Sequence, residues 1–478
     1  MSVRVRFAPS PTGHLHIGGA RTALYNYLFA RANGGVNILR VEDTDPERSR
    51  PEFEKSQIED MKWLGIEFQE GPENPGEFGP YRQSERFPIY REIAAKWLEE
   101  GRAFECFCTP EELEQKKQKA QEEGGDPRYD GTCHHLSAEE IKRRKEGGEK
   151  PVIRFKTTER EYSFEDMVRG VVTFPANMVG DFVIMRADGS PVYNYCCVVD
   201  DHQMKISHVI RADDHTNNTL RQLMLYEALG ARPPVFGHVS LLVGKDRQKL
   251  SKRHAATSVE KYREMGLLPQ ALMNYLTNLG WSHPEEKEIY SLAELGELFS
   301  EKRFSKSPAT FDMEKLYWVN SHYLKESAPE KLIELLQAYM PSEHFFFAQD
   351  ESWKKSCLAL FIEKINTLSE FAPMIDGLWD EDVSACEEFP EIASWETTSD
   401  MAKYLLEQLN GINGQFVTSE DFDHWGQHLK KEMKIKGKPL FKGLRACLTG
   451  KGQGPDLKVL VTLVPREVLV KRVQKVLG

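Results

Sequence analysis

The sequence contains no apolar run of the roughly 18–20 residues that a membrane-crossing helix needs. Its first residues, MSVRVRFAPSPTG, lack the apolar stretch of a secretory signal. Cysteine is sparse, with 8 in 478 residues, which argues against a disulfide framework and for a reducing compartment. A soluble cytoplasmic protein is expected. Positive charge is not in excess either: 63 Lys and Arg face 74 Asp and Glu, for a net charge of −11. Coating of nucleic acid by bulk charge is thereby disfavoured, while a local basic groove stays open. Internal repeats and low-complexity tracts are also lacking. What is present is an ordinary globular balance, 40% hydrophobic and 29% charged, in a chain long enough for roughly three domains.

The alternating, β-branched VRVRF at 3–7 predicts a strand, ended by Pro9 and Pro11. Ala20, Leu24, Tyr27, Leu28 and Phe29 recur at helical spacing and predict a helix from Gly18 to Ala32, stopped by Gly34 and Gly35. NILRVED (37–43) predicts a second buried strand. Strand, glycine turn, helix and strand make one βαβ unit, hence an α/β fold with a parallel, Rossmann-like sheet. Residues 104–150 break this pattern with clustered cysteines and charged runs and read as an insertion. VIRFKT, GVVTFP and DFVIMRADGSPVYNY (152–195) predict strands, with a hairpin turn at Asp188–Gly189. Strand–helix alternation returns from VVDDHQMKISHVIR to VFGHVSLLV (235–243). Beyond about 255 the chain reads as helical, through KYREMGLLPQALMNYLTNLGW, KLIELLQAYM and REVLVKRVQKVL, so a helix-bundle C-terminal region is expected.

Four groups of residues carry chemistry. In FAPSPTGHLHIGGARTALYNYLF a strand ends, a tight turn follows, and His14 and His16 precede Gly18–Gly19 at a helix start. Ligands in open α/β sheets lie outside the carboxyl ends of the strands, and a helix N-terminus with close glycines suits phosphate. In GKDRQKLSKR (244–253) five basic residues fall within ten positions, and mobile ammonium groups there can meet a triphosphate. Arg6 and Arg211, near predicted strand ends, offer the donor fork that carboxylates require. A fourth group is Cys106, Cys108 and Cys133 with His134 and His135. Such close pairs of soft and borderline ligands suit tetrahedral zinc. Basic stretches at IKRRK (141–145) and KKEMKIKGKPLFKGLR (430–445) are candidates for phosphate contacts. Cys196, Cys197, Cys357, Cys386 and Cys447 read as core thiols.

PSPTGHLHIGGARTALYNYLFAR resembles the first signature of class I aminoacyl-tRNA synthetases, specifically of the bacterial glutamyl-tRNA synthetase family. The class signature HIGH stands here as His16-Ile17-Gly18-Gly19, without its last histidine, as is usual in the glutamyl branch. The second signature, KMSKS, is matched by Lys249-Leu250-Ser251-Lys252-Arg253. HAATSV, PQALMNYLTNLGWS and KGKPLFKGLRACLTG…GPDL extend the resemblance over nearly the whole chain, with Gly443 where the family commonly has proline. Val209-Ile210-Arg211-Ala212-Asp213-Asp214-His215 departs from the common V-I-R-G-E-D-H, and Leu220 also replaces a common proline.

The resemblance implies a glutamate–tRNA ligase that uses ATP with Mg²⁺, L-glutamate and tRNA(Glu). His16, Lys249 and Lys252 would be catalytic, and Gly18, Gly19 and Ser251 would join them in binding ATP. Arg6, Ala8, Ser10, Glu42, Tyr193, Cys197, Arg211 and His215 would hold glutamate. Arg211 would face the side-chain carboxylate and Glu42 the α-ammonium. Cys106, Cys108, Cys133 and His135 would bind a structural Zn²⁺, with His134 the rival fourth ligand. The implied division is a Rossmann-like catalytic domain at 1–103 and 191–255, and an acceptor-end-binding insertion at 104–190. A helical stem-contact domain at 256–325 and a helical anticodon-binding domain at 326–478 follow. A cytoplasmic monomer with no membrane partner is expected. Lys364 falls near the position of an anticodon-reading arginine, which leaves tRNA(Gln) open as a second substrate. The alternatives are a paralogue that glutamylates a modified tRNA nucleoside and a catalytically silent tRNA-binding paralogue.

Overall fold

The computed structural model describes residues 2–125, 128–251, 257–381 and 388–478. It divides into two units: Met1–Tyr262 with Pro269–Met313, and Arg263–Leu268 with Glu314–Gly478.

In the first unit β1 (Arg4–Phe7) and β2 (Val36–Leu39) pair in parallel, Arg4 opposite Val36, joined by α1 (Ile17–Ala32). The expected βαβ unit is therefore present. Strand β2 ends before residue 43 because the backbone turns to other partners: the Val41 N–H donates to the Tyr81 carbonyl and the Glu42 N–H to that of Pro9, both at 2.9 Å. These bonds bring Glu42 beside the end of β1. Helices α2 (Pro51–Trp63) and α3 (Phe87–Glu99) follow.

The chain then builds an antiparallel sheet of β3 (Ala103–Cys106), β4 (Val152–Phe155) and β7 (Phe182–Met185), in the order β3-β4-β7. Helices α4 (Pro110–Glu122) and α5 (Ala138–Glu146) lie between β3 and β4 in sequence. Thr109 and Glu112 form a capping box that starts α4, satisfying two otherwise orphaned N–H groups. β5 (Tyr162–Asp166) and β6 (Gly170–Phe174) form a hairpin whose first strand joins the core sheet, in the order β6-β5-β9-β8, where β8 is His208–Ala212 and β9 is Val235–Val239. β8 and β9 are parallel, and β8 runs beside β1: the Arg4 N–H donates to Ser207 Oγ at 2.8 Å and the Ser207 N–H to the Arg4 carbonyl at 2.9 Å.

The segment expected to run as a strand to 195 departs from that reading. The Asp188–Gly189 turn forms, closed by the Arg186 N–H on the Ser190 carbonyl at 2.8 Å with Gly189 at φ +80°. Its return arm, however, is a single bridge between Met185 and Pro191. Pro191 has no N–H for a ladder, and the Val192 carbonyl instead accepts helical bonds that start α6 (Tyr193–Gln203). Burial of Tyr195, Cys196, Val198 and Val199 against Tyr90, Trp97 and Val209 in one core overrides the strand-like composition of YNYCCVV. Each such large side chain contributes about 1.5–3 kcal/mol. Helix α7 (Thr216–Ala228) completes the layer behind β8.

KYREMGLLPQALMNYLTNLGW is two helices, Val259–Glu264 and Pro269–Asn278, rather than one. Gly266 separates them at φ +82°, a conformation that side-chain-bearing residues resist. The second unit is helical among its described residues, with Glu396–Gly411 packed against Gly437–Thr449 and Arg466–Leu477. Gly443 has a packing reason: a Cβ there would overlap the Met401 methyl and press on Thr398.

Candidate active site

The carboxyl ends of β1 and β8 and the N-terminus of α1 enclose a cavity of about 450 Å³. His16 is the N-cap of α1, and its Nδ1 accepts the Gly18 N–H at 3.0 Å. In the neutral ring the hydrogen is therefore on Nε2, free to be donated. Burial, reinforced by Lys249, lowers the His16 pKa and keeps the ring neutral. A Cβ on Gly18 would stand 3.3 Å from this imidazole, so glycine leaves the cap room.

Of the expected amino-acid ligands, Arg6, Ala8, Glu42, Tyr193, Arg211 and His215 line the cavity. His16, Gly18, Gly19 and Lys249 line it as well. Arg211 is buried; its Nε donates toward His238 Nε2 at 3.1 Å and its Nη2 to Thr219 Oγ1 at 2.8 Å. Arg211 Nη1 is buried and has no hydrogen-bond partner among the described residues. Tyr193 Oη meets His215 Nδ1 at 3.1 Å. Burial, with Arg211 nearby, drops the His215 pKa to about 4, so at neutral pH its ring is uncharged beside the Tyr193 hydroxyl. Two expected ligands do not line the cavity: Ser10 is exposed on the following loop, and Cys197 is buried behind Arg6, its Sγ 3.7 Å from Arg6 Nη2.

Beneath the cavity lies a charge cluster that the sequence did not announce. Arg6 Nε meets Asp201 Oδ1 at 3.1 Å, and Arg40 joins Asp201 at 2.6 Å and Glu42 at 3.0 Å. Arg86 Nε and Asp200 Oδ1 are 2.6 Å apart, and Gln83 and Tyr90 donate to the same carboxylate. Burial pushes the Glu42 carboxyl upward against the pull of Arg40 and Arg6, so a bound ammonium would be a welcome neighbour. Asp201 ends low because its two arginines outweigh its burial.

The two signature segments meet in space. The Ile17 N–H donates to the Thr257 carbonyl at 2.8 Å and the Val259 N–H to that of Leu15 at 2.9 Å, around a bridge between His16 and Ser258. On the other side a hairpin carries Lys249: the Leu250 N–H donates to the Leu242 carbonyl at 3.0 Å. Lys249 Nζ lies 2.9 Å from Asp214 Oδ2, and both groups are open to solvent. Ser251 does not line the cavity. Lys252 and Arg253 lie outside the described residues. Asp213 pairs with Arg169, so both acids of the departing A-D-D-H turn are engaged.

In the insertion Cys106, Cys108 and Cys133 place their sulfurs within 4.8 Å of one another. Cys108 and Cys133 are 3.7 Å apart at sulfur, all three are free thiols, and the Cys133 N–H donates to Tyr129 Oη at 2.9 Å. Three converging thiols fit a soft cation. Neither histidine belongs to that group: His134 turns instead to Asp181, and His135 sits at the end of the Thr132–His135 turn. The basic run in α5 is largely engaged with acids, Arg143 and Arg144 with Glu140 at 2.7 and 3.1 Å.

A strand-end cavity under a helix N-terminus, walled by two arginines and reached by a lysine hairpin, defines an enzyme that joins a carboxylate to a nucleotide. The family model described as tRNA synthetases class I (E and Q), catalytic domain, matches residues 2–318, and an anticodon binding domain model matches 331–477. Glutamate–tRNA ligase 1 of Caldicellulosiruptor saccharolyticus is 44% identical over 99% of each chain. The glutamate–tRNA ligase of Carboxydothermus hydrogenoformans is 45% identical over 97% of this chain and 98% of its own. The crystal structure of a glutamate tRNA ligase from Elizabethkingia meningosepticum in complex with its amino acid superposes with TM-score 0.90 at 32% identity, covering 100% of this chain and 99% of that one. The chain belongs to the glutamate–tRNA ligase family of class I aminoacyl-tRNA synthetases.

Proposed function

We propose that the chain activates L-glutamate with ATP and transfers it to the 3′ end of tRNA(Glu). The glutamate α-carboxylate attacks the α-phosphorus, pyrophosphate leaves, and a hydroxyl of the tRNA terminal ribose then displaces AMP from the acyl carbon. The observation that carries this reading is the unpartnered, buried Nη1 of Arg211, a fixed cation with a donor to spare inside a cavity lined by His16 and Lys249. His16 and the first N–H groups of α1 hold phosphate oxygens, and Lys249 with Lys252 neutralises charge that builds on the α-phosphate. Mg²⁺ arrives with the triphosphate as part of the substrate. Arg6 and Arg211 hold carboxylate, Glu42 the α-ammonium, and Tyr193 with His215 walls the pocket; Ser10 and Cys197 act from the loop and from behind Arg6. No side chain is assigned as general base.

In this reading residues 104–190 bind the acceptor end, 256–325 contact the stem, and 326–478 read the anticodon, in a cytoplasmic monomer. The helical unit with its anticodon-domain match favours this over a paralogue acting on a modified nucleoside, which resembles the catalytic half alone. Lys364 is exposed on the helical unit, and charging of tRNA(Gln) as well as tRNA(Glu) is part of the proposal. ATP–pyrophosphate exchange with glutamate, measured with and without tRNA, tests the activity. Absence of exchange under both conditions would reject it, and charging assays with purified tRNA(Glu) and tRNA(Gln) define the acceptors.

Cys106, Cys108 and Cys133 would hold zinc as a structural ion, with His135 or His134 turning in as fourth ligand. One zinc per chain is expected on elemental analysis of protein purified without added metal, and its chelation should unsettle residues 104–190 before the cavity. Metal-free protein that is folded and active would refute the site.

A further inference from the structure

The parallel register of β8 and β9 sets Arg211 directly opposite His238, on one face of the sheet. His238 is fully buried at 0% exposure. Arg211 Nε is only a donor, so the His238 Nε2 that faces it at 3.1 Å must accept. The ring hydrogen is then on Nδ1, which meets Asp166 Oδ2 at 2.6 Å. Asp166 is itself held at the end of β5, accepting the N–H groups of Val168 and Arg169, each at 2.8 Å, and that of His238. Burial lowers the His238 pKa, although Asp166 pulls the other way, so the ring stays neutral. Thr219 Oγ1 takes the Nη2 corner of the guanidinium at 2.8 Å. Nε and Nη2 of Arg211 are thus each held from the protein side, and Nη1, which has no partner among the described residues, remains for a ligand.

The choice of groups matters. A carboxylate placed directly on Arg211 would hold it equally well but would neutralise it and compete with an incoming carboxylate. A neutral imidazole holds the Nε–H without spending the charge, while the countercharge sits one ring further away on Asp166.

We propose that His238, fixed by Asp166 and assisted by Thr219, is a positioning residue that holds Arg211 charged and aimed at the side-chain carboxylate of the amino-acid substrate, and so sets discrimination between a carboxylate and an amide. This rests on the reading of Arg211 as the carboxylate-binding group. Strand β5 belongs by sequence to the insertion, so the insertion contributes Asp166 to amino-acid selection.

The test is pyrophosphate exchange with glutamate, glutamine and ATP varied in turn, on full-length His238→Phe, His238→Gln and Thr219→Val proteins beside Arg211→Ala. His238→Phe keeps an aromatic ring, somewhat larger, and removes both nitrogens. Its KM for glutamate should rise on the order of 10–100-fold, the range for losing a hydrogen bond to a charged group. The KM for ATP should hold and the preference for glutamate over glutamine should fall, while the melting temperature should drop because the buried Asp166 carboxylate loses the ring N–H it accepts. His238→Gln restores an acceptor near the Nε2 position and should recover most of the loss, and Thr219→Val should show a smaller effect of the same kind. If Arg211→Ala abolishes exchange while His238→Phe leaves the glutamate KM and the discrimination unchanged, the positioning role is overturned. The same holds if His238→Phe impairs ATP and glutamate equally while His238→Gln rescues neither, and Thr219→Val is then silent. If Arg211→Ala itself keeps wild-type kinetics, the underlying reading of Arg211 fails instead.

Discussion

Replacing Arg211 with alanine is expected to slow glutamyl-adenylate formation on the order of 10²-fold or more. The loss arises because a substrate carboxylate would enter a low-dielectric cavity with no cation to meet it. Arg6 cannot take over, since its Nε is already committed to Asp201. The defect should therefore fall on glutamate, with ATP binding at His16 and the α1 N-terminus preserved. The cost to the fold should be modest, as Arg211 makes its direct hydrogen bonds with neutral groups. Pre-steady-state adenylate formation at varied glutamate measures the effect. Near wild-type rates together with unchanged rejection of glutamine would remove Arg211 from the pocket chemistry.

Lys249→Ala should act on a different quantity. Lys249 rests against Asp214 in an exposed pair, and such pairs contribute only about 0–1 kcal/mol. Its ammonium can therefore leave Asp214 for a triphosphate at small cost. A cation that meets charge only as the α-phosphorus becomes five-coordinate lowers the barrier without tightening ground-state binding. Turnover should fall on the order of 10²–10³-fold while the KM for ATP changes little. Lys252, in the same K-L-S-K-R segment, is expected to share this role. Single-turnover measurements over a range of ATP concentrations separate the cases. A loss confined to KM would make Lys249 a binding group only.

Part of this site was legible before any coordinates. Strand, turn, helix and strand over residues 3–39 are contiguous, and their local signals agree with the tertiary packing, so the first signature could be placed at a strand end. Arg211 could be placed at the end of an apolar strand, and its place in the pocket came from the resemblance of Val209-Ile210-Arg211 to the family. Arg40, Asp200 and Asp201 were not legible. Hydrophobic periodicity says nothing of buried charges, and both aspartates ride on α6, whose aromatic and β-branched residues read as a strand until Pro191 is seen to end the ladder. His238 was hidden inside VFGHV, which reads as a core strand and is one. Its partner Asp166 closes β5, a strand unread because its inward positions include a carboxylate. The C-x-C and C-x-H spacing brought three thiols together but could not choose between His134 and His135, because the turn at 132–135 decides where each ring goes. At Gly443, where the family commonly has proline, the Met401 methyl fills the space a side chain would take.

The charge cluster under the cavity constrains how this protein can change over time. Arg6, Arg40 and Arg86 balance Glu42, Asp200 and Asp201, all six of them buried. Removing any one member strands an opposite charge, at about 3–5 kcal/mol. That is a large share of the 5–15 kcal/mol or so by which a domain is stable. Replacing all of them together by well-packed apolar groups could be neutral, yet no path of single substitutions reaches that state without passing through an unstable intermediate. The cluster, Arg6 and Glu42 at the cavity included, should therefore persist as a block. An effort to retarget amino-acid choice should redesign the wall and leave that foundation alone.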